Sequence, residues 1–136
     1  MIRVVAALIL REGPDGLMQV LAGRRVSPPE LAGQWEFPGG KVEPGEDDLA
    51  ALHREIREEL AVELTVTGPL GGELPMVGGP GVWQPYLATL RSGQPVAQDH
   101  DQLKWLCADE LGSVQWLSSD LPILFPLSEA MRAGAA

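Results

Sequence analysis

The sequence contains only one cysteine, Cys107, so one chain can form neither an internal disulfide nor a cysteine-based zinc cluster. It also lacks any stretch that approaches the roughly 20 apolar residues needed to span a bilayer. The apolar run from Val4 to Leu10 is short, is preceded by a single basic residue and has no cleavage-like site, which argues against a signal peptide. These absences predict a protein of the reducing cytoplasm.

Basic residues are scarce, with 10 Lys and Arg against 19 Asp and Glu, for a net charge of -9. This balance argues against a nucleic acid polymer or an anionic membrane as partner, because neither phosphate-rich surface attracts an acidic protein. A small anionic substrate remains compatible with this charge if metal ions mediate its contact with the protein. The 136 residues, 45% of them hydrophobic, predict a single domain over residues 1–136 with one ordinary core. The protein is expected as a monomer or a homodimer, and its length and composition do not decide between the two.

Branched apolar segments bounded by turn residues predict the strands. The first two flank the turn residues 13–16 and should form a hairpin. Pro85 should weaken its strand or place it at a sheet edge. The glycine-rich segment from Gly68 to Gly81 is predicted to be a flexible loop, and residues 38–40 a break in regular structure. The five predicted strands are Ile2–Leu10, Leu17–Ala22, Val62–Thr67, Val82–Leu90 and Leu103–Leu106.

A helix is predicted from Asp47 to Glu59 or Leu60, because this stretch is free of Gly and Pro and begins with acidic residues. Its apolar stripe should pack on the sheet and consists of Leu49, Leu52, Ile56 and Leu60.

A second helix is predicted to begin near Pro122, with Asp120 as its cap, and to turn Leu124, Leu127 and Met131 inward. Pro126 should kink or shorten this helix. Strands with two interspersed helices indicate an α+β or α/β layer arrangement.

Three glutamates, Glu55, Glu58 and Glu59, occupy positions i, i+3 and i+4 of the first helix and share one arc. A run of acids is commonly a solvated helix face. Here the carboxylates crowd beside the apolar stripe, although like charges four residues apart repel each other. Hard divalent cations such as Mg²⁺ require oxygen ligands at this density, so the pattern favours a metal site.

The segment from Gly40 to Val62 resembles the Nudix box, the signature of the Nudix hydrolases. It reads Gly40-x5-Glu46-x7-Arg54-Glu55-Ile56-x-Glu58-Glu59-x-Ala61-Val62. It departs from the pattern only at Ala61, where the family has glycine. Glycine commonly supplies a left-handed turn after a helix, so we expect a local change of backbone path at modest cost and no loss of a metal ligand.

Residues 35–43, Trp-Glu-Phe-Pro-Gly-Gly-Lys-Val-Glu, resemble the segment that leads into the box in MutT-like members. The resemblance implies the Nudix fold, a mixed β-sheet sandwiched between helices with the box as a loop-helix-loop. It also implies Mg²⁺-dependent hydrolysis of (deoxy)nucleoside triphosphates, in which water attacks the β-phosphorus and nucleoside monophosphate and pyrophosphate result.

By the same resemblance, Glu55, Glu58 and Glu59 bind Mg²⁺ together with the backbone carbonyl of Gly39, and Mn²⁺ is a substitute. Gly40, Glu46 and Arg54 have structural roles in the motif, and Glu46 neutralises Arg54. Asp99 stands where relatives carry a loop glutamate that assists catalysis. The alternative for Asp99 is solvated surface, so the general base stays open between Asp99 and the helix glutamates.

The resemblance also suggests substrate contacts. Arg25 and Lys41 should reach phosphate oxygens, unless they are exposed charges at a strand end and in a loop. Phe37 lines the base pocket or belongs to the plain core. Asp120 reads the base edge or only caps a helix, and as a carboxylate it would accept from an exocyclic amino group such as that of cytosine. His53 is expected to be a packed or surface histidine and not a ligand, whereas His100 has no assigned role.

The expected function is removal of damaged or surplus nucleotides, such as oxidised guanine nucleotides or cytidine nucleotides. A second enzyme hypothesis is hydrolysis of nucleoside diphosphate sugars or dinucleotides, which is less expected because the compact chain has no extra amino-terminal segment. A third hypothesis is a non-catalytic module that senses a nucleotide, against which the complete set of helix carboxylates counts.

Overall fold

The computed structural model describes residues 2–134. Its strands and helices follow one another in the order expected from the sequence, with short strands added in the loops. In chain order they are β1 (Arg3–Glu12), β2 (Met18–Arg25), β3 (Trp35–Glu36), β4 (Gly39–Lys41), α1 (Asp48–Leu60), β5 (Glu63–Pro69), β6 (Leu74–Pro75), β7 (Val82–Ser92), β8 (His100–Cys107) and α2 (Leu124–Arg132). Two 3₁₀ helices, Ala108–Ser113 and Ser118–Ile123, precede α2.

Strand β1 forms the centre of a mixed sheet with the strand order β3-β2-β1-β7-β5. It runs parallel to β7 and antiparallel to β2 and β4. Alternate β1 side chains enter two cores, because successive residues of a strand point to opposite faces. Val5, Ala7 and Ile9 pack with α1, whereas Ala6, Leu8 and Leu10 pack with α2. The predicted mixed sheet between helices is therefore confirmed.

Helix α1 begins after Asp47, whose side chain accepts the Ala50 N–H at 2.8 Å. The predicted stripe is correct for Leu52, Ile56 and Leu60, which are fully buried. It is wrong for Leu49, which is 44% exposed, and Ala51, which was not in the predicted stripe, is fully buried in the core instead.

The prediction that Pro85 weakens its strand or marks a sheet edge is wrong, because Pro85 is fully buried within the central strand β7. Its carbonyl accepts the Leu70 N–H at 3.1 Å. In a strand, the nitrogen and the carbonyl of one residue point to the same side. The Pro85 nitrogen, which carries no hydrogen, therefore points towards the chain just beyond the end of β5 at Pro69, where no strand hydrogen bond is lost. The adjacent glycine-rich segment is also more ordered than predicted, since it contains β6, which pairs with β7.

The predicted cap at Asp120 is wrong, because Asp120 lies inside the 3₁₀ helix that precedes α2. Pro126 does not kink α2, since it occupies the first turn, where an N–H has no partner within the helix. Leu127 and Met131 are buried as predicted, and Leu124 is partly buried. The expected break at residues 38–40 is in part strand β4. Within residues 2–134, no helix has the length and apolarity needed to cross a membrane.

Candidate active site

A polar cavity of about 250 Å³ lies between α1, β4, the end of β2 and the start of β8. It brings together residues far apart in sequence, from the Nudix-like helix and from three other segments. Its lining consists of Arg25, Val26, Ser27, Glu36, Gly39, Glu55, Glu59, Asp99 and His100. The carboxylates concentrate negative charge in a small volume, which is the ligand chemistry that divalent cations require.

Two adjacent glycines bring β4 close to its neighbours. A side chain at Gly39 would collide with the carbonyl oxygen of Val5 on β1, and one at Gly40 would collide with the Glu55 carboxylate. Strand β4 pairs with β1 through Ala6 and Gly39, so the glycines allow the main chain to run directly beside the helix carboxylates. The Gly39 backbone is thereby fixed at the wall of the cavity.

Glu59 is the most buried carboxylate of the cavity, with 6% of the residue exposed. Burial, together with the neighbouring charges of Glu36, Glu55 and Asp99, raises its pKa to about 9, although a hydrogen bond from the Gly39 backbone opposes the shift. Its Oε2 atom has no hydrogen-bond partner among the described residues. An unpaired buried carboxylate oxygen in an acidic cavity fits a divalent metal ion as its missing partner.

Glu55 lines the same cavity, and burial raises its pKa although Arg54 opposes the effect. Glu58 does not line it. The Glu58 side chain is 57% exposed and lies 3.5 Å from the Arg54 guanidinium on the next turn. The structure thus brings Glu55, Glu59 and Asp99 together, and the predicted metal contact of Glu58 stays a prediction.

Arg54 joins the helix to the loop before it. It donates to both carboxylate oxygens of Glu46, at 2.7 and 2.9 Å, and to the Lys41 carbonyl at 3.0 Å. Hydrogen bonding to Arg54 lowers the pKa of Glu46 to about 2. Arg54 also donates to Glu55 at 3.0 Å, so the same guanidinium orients a carboxylate of the cavity.

Glu36 and His100 are cavity residues without a role in the sequence analysis. The Glu36 Oε2 lies 2.9 Å from the His100 Nε2, and the Glu36 Oε1 accepts from Arg25 at 2.9 Å. Glu36, Glu59 and His100 each offer a ligand atom within 4.8 Å of the other two. The only sequence signal was position, since Glu36 stands within the segment before the box and His100 follows Asp99.

A second, mainly apolar cavity of about 530 Å³ adjoins the first and shares Arg25, Glu36 and Gly39 with it. Phe37 lines this cavity and is also core, since its ring stacks on Trp116 at 4.6 Å between centroids. Lys41 lies exposed at its edge.

Asp120 also lines the apolar cavity and accepts the Phe37 N–H at 3.0 Å. Burial raises the pKa of Asp120 to about 7, and Glu36 acts in the same direction, whereas the Phe37 N–H and Arg25 oppose it. A carboxyl group with this pKa can accept or donate a hydrogen bond near neutral pH. The structure therefore brings all four predicted substrate contacts to the apolar cavity, with Arg25 at the junction.

Ala61 ends α1 in the left-handed conformation with φ 58° and ψ 37°, which glycine usually adopts. The expected change of backbone path is therefore wrong, because Ala61 itself adopts the left-handed turn that glycine would supply. The segment before β8 is bound to the same helix end, since the N–H groups of Val96 and Gln98 donate to the carbonyls of Leu60 and Glu59. These bonds hold the segment that contains Asp99 against the end of α1 that carries Glu59.

Comparisons with known proteins show which family the chain resembles over most of its length. The chain is 40% identical over 135 residues to a Mycobacterium tuberculosis protein named "Putative 8-oxo-dGTP diphosphatase 2", covering 98% of this chain and 92% of that one. It is 36% identical over 130 residues to the CTP pyrophosphohydrolase of Escherichia coli, covering 91% and 89%.

Among solved structures, the solution structure of the E. coli ORF135 protein is similar, with a TM-score of 0.78 and 34% identity. The match covers 100% of this chain and 94% of that one. The NUDIX domain family model matches residues 1–129. The chain thus belongs to the Nudix hydrolase family.

Proposed function

We propose that this protein hydrolyses (deoxy)nucleoside triphosphates to nucleoside monophosphate and pyrophosphate with Mg²⁺ as its metal, Mn²⁺ being a substitute. The observation that carries the proposal is the pair of adjoining cavities, one rich in carboxylates and the other apolar. A nucleotide has the same two parts, a phosphate chain that binds metal ions and a flat base that binds apolar surfaces. The names of the two similar proteins support a nucleotide substrate.

In this proposal the metal side is formed by Glu55, Glu58, Glu59 and the Gly39 carbonyl. A bound divalent ion supplies charge neutralisation of phosphate oxygens and a more acidic water. Asp99 lies in the same cavity and is a candidate to receive a proton from the attacking water. Glu46 and Arg54 fix the helix against the loop, so that the carboxylates are held in place before substrate arrives.

Arg25 lies where the two cavities meet, and we assign it and Lys41 to the phosphate chain. Phe37 offers an apolar wall to the base, and Asp120 offers a buried carboxyl group to its polar edge. We propose oxidised guanine nucleotides or cytidine nucleotides as substrates, in keeping with the names of the similar proteins. We also propose that the protein acts in the cytoplasm as a single domain, either as a monomer or as a homodimer.

The test is a nucleotide panel with Mg²⁺ that includes normal and oxidised bases, a nucleoside diphosphate sugar and a dinucleotide. We expect equal amounts of nucleoside monophosphate and pyrophosphate from one group of triphosphates. Turnover of sugar conjugates or dinucleotides alone would favour the second enzyme hypothesis. Binding without turnover would favour the nucleotide sensor, and release of inorganic phosphate alone would contradict the proposed site of cleavage.

A further inference from the structure

His100 is the imidazole of the polar cavity and is built into its wall. Its side chain is 2% exposed, and its Nε2 lies 2.9 Å from the Glu36 Oε2. A side chain at Gly23 would lie 2.7 Å from the His100 ring, so glycine at this position of β2 leaves the space that the ring fills. The other Glu36 oxygen is held by Arg25. The position of the imidazole is therefore fixed from both sides.

The Glu59 carboxylate lies near this imidazole and has one oxygen, Oε2, without a hydrogen-bond partner among the described residues. Ligand atoms of Glu36, Glu59 and His100 all lie within 4.8 Å of one another. Glu59 is 6% exposed, and its unpaired Oε2 is among the buried polar atoms that no other described group satisfies. Such an atom is costly unless a cation or a donor meets it in the working protein.

We propose that Glu36, Glu59 and His100 form a mixed carboxylate and imidazole position for a divalent transition metal ion. This inference rests on the proposed function and adds a nitrogen ligand to the oxygen ligands expected from the family. Imidazole binds divalent transition metal ions more tightly than it binds Mg²⁺, and Mn²⁺, although the weakest binder of the first-row series, is the transition ion proposed above as a substitute for Mg²⁺.

The distance between Glu36 and His100 suits two ligands of one metal ion. Two neighbouring ligands of an octahedral ion, each at about 2.1 Å from it, lie about 3 Å apart. The 2.9 Å between Glu36 Oε2 and His100 Nε2 matches that value. An ion bound between them requires the neutral imidazole to carry its proton on Nδ1, which is buried and has no partner among the described residues, and leaves Nε2 free as the ligand atom. Arg25 retains its bond to the other Glu36 oxygen.

The charges around the position also favour a cation. Glu36, Glu55, Glu59 and Asp99 line the cavity, and Arg25 is the basic residue among its lining. The cavity therefore holds more carboxylates than guanidinium groups. This remains true when Arg54, which lies outside the cavity and pairs with Glu55, is included. The alternative is that His100 only hydrogen-bonds Glu36 and so steadies Arg25.

Pulsed electron paramagnetic resonance of bound Mn²⁺ separates these two roles, because a directly bound imidazole nitrogen modulates the spin echo. The untagged chain has two histidines, His53 and His100, which makes assignment simple. We expect ¹⁴N modulation in the unlabelled protein that changes to the ¹⁵N pattern when histidine alone is ¹⁵N-labelled. His53→Gln should keep the signal, and His100→Gln should lose it.

Absence of a histidine nitrogen from the Mn²⁺ spectrum of the labelled natural protein would overturn the inference, and this result does not depend on whether a variant folds. Persistence of the signal in folded His100→Gln would overturn it as well. If pyrophosphate is still released with Mg²⁺ in either case, the proposed function stands and only the imidazole ligand is refuted.

Metal preference provides a second readout. We expect the ratio of Mn²⁺ to Mg²⁺ affinity, measured by calorimetry, to fall about tenfold in His100→Gln, because carboxylates and water suit Mg²⁺ whereas imidazole favours transition ions. His53→Gln is the matched control and should leave the ratio unchanged. An unchanged ratio in His100→Gln would contradict a metal bond to this imidazole.

Discussion

Replacement of Glu59 by Gln should stabilise the metal-free protein at neutral pH. Gln has nearly the shape of a protonated Glu but cannot ionise. The Glu59 pKa is 4.5 in an exposed reference state and about 9 in the fold, because burial and neighbouring carboxylates oppose its charge. Between these values the folded protein holds a proton that the unfolded chain has released, so the natural protein loses stability as the pH rises from 4.5 towards 9.

The size of the effect follows from the same shift. At pH 7 the unfolded carboxyl lies about 2.5 pH units above its pKa, which corresponds to roughly 3 kcal/mol at about 1.4 kcal/mol per unit. At pH 5 the same linkage gives less than about 1 kcal/mol. We therefore expect Glu59→Gln to raise the free energy of unfolding by up to about 3 kcal/mol at pH 7 and by much less at pH 5.

Urea unfolding in the presence of a metal chelator measures this difference at both pH values. Added Mn²⁺ or Mg²⁺ should reverse the order, because ligand that binds only the folded state stabilises the natural protein and the variant has lost a carboxylate. Glu129→Gln is a control, since this exposed acid of α2 is not among the residues that line the cavity. A variant that is equally stable, or less stable, at pH 7 without metal would refute the reasoning.

Three further substitutions test separate parts of the site. Glu58→Gln should lower turnover by orders of magnitude in a pyrophosphate assay. It should change the free energy of unfolding by no more than about 0.5 kcal/mol, because the Glu58 side chain is exposed. Unchanged turnover would remove Glu58 from the metal site. Asp120→Asn should change the ratio of kcat/KM between amino-bearing and keto-bearing bases by about tenfold, consistent with 1 to 3 kcal/mol for a buried polar contact. In the natural protein that ratio should rise through pH 7 as Asp120 ionises and becomes purely an acceptor, and a flat profile would contradict this role. Ala61→Gly should raise the free energy of unfolding by about 1 kcal/mol because φ is 58°, and a less stable variant would contradict strain at this turn.

Features set by neighbouring residues could be predicted from the sequence. The helix Asp48–Leu60 followed from its apolar spacing and its acidic start, and the main strands followed from their branched apolar runs. The Nudix resemblance implied the contact between Glu46 and Arg54, which the structure contains. These features depend on local periodicity and on a contiguous motif.

Features set by distant pairing could not be predicted. Pro85 fits a central strand only because β5 ends beside its nitrogen, and nothing near Pro85 in sequence indicates this. The Asp120 carboxylate meets the Phe37 N–H across 83 positions of the chain, so its cap-like sequence setting was misleading. Likewise Glu36 meets His100 because β2 pairs with both β3 and β8, which places Arg25 opposite His100.

The central claim is that the cavity between α1, β4 and β8 binds a divalent ion through its carboxylates. Isothermal titration calorimetry of the chelator-treated protein with Mn²⁺, without and with a non-hydrolysable nucleoside triphosphate, tests this most directly. The account predicts saturable binding by the natural protein that Glu59→Gln weakens at least tenfold. The absence of Mn²⁺ binding to folded natural protein under both conditions would contradict it.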